Sequence, residues 1–169
     1  MMLEILTYPD PRLKEPSTTV ETFDEELRNF LSNLEETMRA GPGGVGIAAP
    51  QVGRFQRIAI VDVSSHKKIT KHHGRLVLIN PEITDWDGFE IAREGCMSVP
   101  DYTGNVIRAT HIKLTAQNEN AEIKQFEMEG YEARAVQHEL DHLDGLLFLD
   151  RLVSRRHDLF QRKTHQKKK

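Results

Sequence analysis

Apolar positions recur along this chain with two different periods. Phe23, Leu27, Phe30, Leu31, Leu34 and Met38 fall three or four apart, the spacing of an amphipathic helix with one face on a core. Thr22 and Glu25 have the T-x-x-E spacing of a capping box and are expected to start that helix. The glycine-rich stretch 39–44, with Pro42, is expected to end it. Short β-type runs follow at 58–63, 76–79, 89–92, 106–109, 112–116 and 123–126. With no helical pattern between them, antiparallel pairing is expected rather than parallel crossovers. Helical spacing returns over 131–143, with Gly145 placed to cap its end. Leu152, Val153, Leu159 and Phe160 then predict a short amphipathic C-terminal helix. The expected fold is α+β: antiparallel β-sheets packed around the second helix, with an N-terminal helix and a short C-terminal helix. Residues 1–150 form the expected domain, and 151–169 a basic tail of that same domain.

Composition narrows the functional classes. A chain of 169 residues suffices for one domain with a sizeable core. Its 38% hydrophobic and 29% charged residues suit a soluble globular protein. A net charge of -3 carries no whole-molecule nucleic-acid signature, so no specific DNA binding is expected. The tail departs from this, with Arg151, Arg155, Arg156, Arg162, Lys163 and Lys167 to Lys169. It reads either as a solvated terminus or as a segment attracted to RNA. The N-terminus lacks a basic region, and Glu4 and Pro9 interrupt its apolar stretch, so no signal peptide is read. No run reaches the length of a membrane span, and a cytoplasmic protein with no membrane partner is expected.

Chemistry concentrates in three places. Within the second helix lies His138-Glu139-Leu140-Asp141-His142, an H-E-x-x-H pattern. Imidazoles four residues apart on a helix share a face and can grip one metal ion, while the glutamate between them can reach a metal-bound water. A catalytic centre of this kind usually has a third protein ligand. Downstream, His157 and His165 lie among cations and are poor candidates. With His66, His72, His73 and His111 they read as surface or structural residues. Upstream, Glu94-Gly95-Cys96-Met97-Ser98 holds the chain's single cysteine, which is a buried small hydrophobe, a nucleophile or a metal ligand. The third place is Gly44-Val45-Gly46-Ile47-Ala48-Ala49-Pro50-Gln51, whose small residues permit close backbone approach. It lacks the lysine of a phosphate loop. Gln51 is its one polar donor, serving either a turn or a ligand.

In this order, G-x-G-x-A-A-x-Q, E-G-C-x-S and H-E-x-x-H resemble the signatures of the peptide deformylases, and the likeness runs from about Ile5 to Leu149. That resemblance implies an enzyme that hydrolyses the formyl group from the N-terminal methionine of new proteins, releasing formate. It implies Cys96, His138 and His142 as ligands of one divalent metal ion, iron(II) in cells with zinc or another ion accepted. Glu139 takes the role of general acid/base. Gln51 and the backbone N–H of Met97 stabilise the oxyanion. Val45 and Gly46 lie in the segment that pairs with substrate backbone. Tyr131 and Ala135 share a helical face with the two histidines and either line the methionine pocket or pack the core. Arg108 is either a buried partner of Glu94 or a solvated strand-end cation. Family members with basic C-terminal helices suggest the ribosome as a partner of the tail. Met97 departs from the family's more frequent leucine, and 101–103 lies in a segment that varies between members. A general metallopeptidase fits Cys96 and Gln51 poorly. A non-catalytic, ribosome-associated metal-binding module has no use for Glu139.

Overall fold

The protein is described from a computed structural model, which covers residues 1–41 and 44–162. Helix α1 runs over Glu25–Ala40 and buries Leu27, Leu31, Leu34 and Met38 along one face. Its start differs from the sequence expectation. Asp24, not Thr22, is the N-cap, and its carboxylate accepts a hydrogen bond from the Leu27 N–H at 3.0 Å. A carboxylate at this position satisfies an orphan donor and faces the positive end of the helix dipole, which Glu25 and Glu26 reinforce.

The strands form two antiparallel sheets. The larger contains β1 (Gly46–Ala48), β2 (Ile58–Val61), β3 (Leu76–Asp87), β6 (His111–Gln117) and β7 (Ile123–Glu129) in the order β1-β2-β3-β6-β7. The smaller contains β4 (Glu90–Cys96), β5 (Val99–Arg108) and β8 (Leu159–Gln161) in the order β4-β5-β8. Helix α2 spans Gly130–Leu143, and Gly145 follows it with φ +76°, the left-handed position expected there.

Strand β2 is buried on both faces, and its alternation organises the core. Ile58 and Ile60 pack with Leu27, Leu34 and Met38 of α1. Ala59 and Val61 pack with Ala133, Val136, Leu140 and Leu143 of α2. The large sheet is therefore covered by a helix on each side. Each fully buried aliphatic side chain of this kind contributes roughly 1.5–3 kcal/mol.

The C-terminal segment does not form the amphipathic helix expected from Leu152, Val153, Leu159 and Phe160. After a single 3-10 turn at Phe148–Arg151, Leu159–Gln161 becomes β8, with Thr103 paired to Phe160 and Tyr102 to Gln161. The edge of β5 offers backbone hydrogen bonds to an extended partner. The ring of Phe160 lies under the Arg93 guanidinium at 3.7 Å, holding the strand in register. Lys163, His165 and Lys167 to Lys169 lie outside the described residues. Among the described residues, no helix is long and apolar enough to cross a membrane.

Candidate active site

The H-E-x-x-H motif occupies the buried C-terminal half of α2. One helical turn apart, the His138 and His142 rings stand 5.2 Å apart, centroid to centroid. Opposite them is Cys96, at the end of β4, where a register shift between Glu94 and Cys96 re-aims the strand. Its Sγ lies 3.4 Å from His142 Nε2, and the ligand atoms of Cys96, His138 and His142 all lie within 4.8 Å of one another. One sulfur and two imidazoles converging in this way can hold a single metal ion.

Behind the histidines lies a buried charge network centred on Glu94. Its carboxylate accepts from His138 Nδ1 at 2.9 Å, from Arg108 Nε and Nη2 at 3.0 and 2.9 Å, and from Arg134 Nη1 at 2.6 Å. Arg108 also pairs with Asp141, which Arg151 joins. The bond to Nδ1 leaves His138 Nε2 for the metal side and fixes the ring's orientation. Burial alone raises the pKa of Glu94, but hydrogen bonds and charge from His138 and Arg108 outweigh it and hold the carboxyl well below the usual range. The buried pair of Glu94 with Arg108 is thus present. Arg134 and Asp141 went unassigned in the sequence, although Arg134 stands one turn before His138 and Asp141 lies inside the motif itself.

Glu139 faces the other way. A Cβ on Gly46 would fall 2.5 Å from Glu139 Oε2, so any side chain here would push the carboxylate from its place. Glu139 Oε1 is buried with no hydrogen-bond partner among the described residues, and so is His142 Nδ1. Burial pushes the Glu139 carboxyl up to about 7, with the charge of His138 opposing the rise. Burial and the charges of His138 and Arg108 press His142 well below its ordinary value. For His138, burial is outweighed by Cys96, Glu94 and Glu139, which hold it well above. Neighbouring groups with such divergent proton affinities suit acid–base chemistry.

Gln51 sits in a 3-10 turn, Ala49–Val52, directly after β1. Its Oε1 accepts from the Ala48 N–H at 2.9 Å, which turns Nε2 toward Ser98 Oγ at 3.1 Å and Cys96 Sγ at 3.6 Å. Ser98, buried and in contact with Gln51, had no role assigned from sequence. Met97 lies between Cys96 and Ser98, and its side chain packs toward the α1 cluster. The fold therefore brings Cys96, His138, His142, Glu139, Gln51 and Gly46 together. Val45 and Ala135 pack in the cluster beneath α2. Tyr131 is 38% exposed and packs tilted against the His66 ring, centroids 4.8 Å apart. His73 bonds to the buried Glu132, a structural role. A separate cleft of about 560 Å³, lined by Arg57, Trp86, Phe89 and Gln137, includes none of the three ligand residues.

The polypeptide deformylase family profile matches residues 2–158. A peptide deformylase from Wolinella succinogenes is 43% identical over 166 residues, covering 98% of this chain and 94% of its own length. One from Thermodesulfovibrio yellowstonii is 38% identical over 167 residues, covering 99% of each. Among solved structures, peptide deformylase from Thermotoga maritima matches with a TM-score of 0.83 at 40% identity, over 91% of this chain and 99% of that one. The Ehrlichia chaffeensis enzyme in complex with actinonin matches with a TM-score of 0.84 at 35% identity, over 92% and 91%.

Proposed function

The chain belongs to the polypeptide deformylase family, and from that premise we propose how its own residues divide the work. It is a metal-dependent hydrolase that removes the formyl group from the N-terminus of formylmethionyl peptides. Cys96, His138 and His142 would hold the metal. The convergence of their ligand atoms and the buried Oε1 of Glu139, which has no partner among the described residues, fit a bound ion and its water. Held there, such an ion would supply Lewis-acid polarisation of the formyl oxygen and would lower the pKa of a nearby water toward neutrality.

Glu139 accepts the proton of the attacking water at its carboxylate and returns it to the methionine nitrogen as the C–N bond breaks. Its lifted proton affinity suits both transfers. Gln51 Nε2, aimed by the Ala48 N–H, and the N–H of Met97 donate to the oxygen that gains charge. Gly46 and Val45 offer backbone to the peptide. Tyr131 and Ala135 line the methionine pocket.

The donor set suits iron(II) or zinc, and iron(II) is the ion we assign in cells. An activity half-life equal in air and under anaerobic conditions would contradict iron. The substrates are N-formylmethionyl nascent chains met in the cytoplasm. Residues 1–150 form the catalytic domain, and the basic tail 151–169 adds attraction to ribosomal RNA, testable as salt-dependent co-sedimentation with ribosomes.

One observation carries the role of Glu139: a buried carboxylate, its Oε1 without a partner among the described residues, held against bare Gly46 beside the ligand triad. The Glu139→Gln enzyme is expected to keep its metal content and lose at least about a hundredfold in kcat. Near-normal turnover in that variant would remove Glu139 from the mechanism.

A further inference from the structure

Among the described residues, strands β1 and β4 each pair on one side only, and both bring their free edges to the candidate metal-site residues. Gly46 on β1 touches Glu139, and Gly95 on β4 directly precedes Cys96. A peptide in extended form can bond along such an edge. Arg93 and Gly95, Thr103 and Asn105, and Phe160 and Arg162 alternate onto the same outer face of the small sheet. Arg93 is engaged there, bonded to Asn105 and Thr103 and stacked on Phe160.

Arg162 is not engaged in this way. Its backbone N–H donates to Asp101 O at 2.9 Å, anchoring it just beyond β8. From there its side chain crosses β5 and places Nη2 2.8 Å from the point a Gly95 Cβ would occupy. Nη2 makes one long bond, to Tyr102 O at 3.4 Å, and the buried Nε has no partner among the described residues. Neither nitrogen enters an ion pair with a described carboxylate. A planar guanidinium with unused donors, laid over a bare glycine at the free edge of a strand, is shaped for a carboxylate.

Building on the deformylase reading, we infer that Arg162 is a specificity-determining residue that selects formyl peptides carrying Asp or Glu within three residues after the methionine. A strand bound beside Gly95 presents every second side chain to this outer face, where Arg162 enters no ion pair among the described residues.

The test compares kcat/KM for formyl-Met-Ala-Ala-Ala peptides carrying Asp or Lys in turn at each position after methionine, in the full-length parent, Arg162→Lys and Arg162→Glu enzymes. At one position the parent is expected to favour Asp over Lys by about three- to tenfold, mainly through KM, with the ratio falling as salt rises. Arg162→Lys is expected to keep part of that ratio, and Arg162→Glu to invert it. Formate release with the same Asp-to-Lys ratio in the parent and Arg162→Glu enzymes would overturn the inference while leaving the deformylase reading intact. Release of no formate from any formyl peptide would overturn both.

Discussion

Gly46 shows how little room the Glu139 carboxylate, the proposed general base, has. A methyl group there must displace Glu139 Oε2, which sits 2.5 Å from its ideal place. Gly46→Ala is therefore expected to lower kcat by about tenfold or more while leaving far-UV circular dichroism unchanged, since an ångström-scale shift of a reacting group is enough. Unaltered kcat would mean that Glu139 is free to move. Gln51 is held at both ends of its amide. Truncating it to alanine is expected to cost about a hundredfold to a thousandfold in kcat, the usual consequence of losing one oxyanion donor. A rise in KM alone would reassign Gln51 to ground-state binding. The H-E-x-x-H spacing marks His138, Glu139 and His142 as a candidate metal motif, whereas only the resemblance to the deformylases singles out Cys96 as the third ligand. Ser98, Arg134 and Asp141 were not legible, because their roles depend on a partner from another element, and spacing within one segment does not name that partner.

At the level of elements, β4 and α2 are joined by Glu94, which holds His138, Arg108 and Arg134 together in a buried site. Removing one member leaves buried cations uncompensated, at a cost of about 3–5 kcal/mol. Glu94→Ala is expected to show that loss in urea unfolding and a reduced metal content, and a midpoint within error of the parent would contradict it. The same group sets an acid limb. Its folded pKa lies below its unfolded value of about 4.3. Its contribution is thus complete above that pH and is lost as pH falls toward the folded value. Over that window the parent should lose stability more steeply than Glu94→Ala, and parallel slopes would contradict the assignment. Both helices and the β-runs were readable from period, because each buries a regular face. Helix α1 starts two residues later than the Thr22 capping-box spacing implies, because the Asp24 carboxylate caps it instead. Strand β8 escaped prediction because three residues carry no period of their own, and only pairing with β5 makes them a strand.

On the scale of the whole molecule, the large sheet lies between α1 and α2, and the candidate metal centre forms where α2 meets the end of β4. A metal bound at that junction links elements distant in sequence. Chelation is expected to lower Tm as well as abolish activity, since a ligand that binds only the folded state stabilises it. An unchanged Tm after verified metal loss would place the ion outside this junction. The central claim concerns the bond that is cleaved. The most direct measurement is formate release from formyl-Met-Ala-Ser by anaerobically purified, iron(II)-loaded protein, beside the Glu139→Ala variant and the unformylated peptide. Turnover by the parent, loss in the variant and no cleavage of the unformylated peptide are expected. Folded, metal-loaded protein that released no formate, or that cut the unformylated peptide equally well, would contradict the central claim.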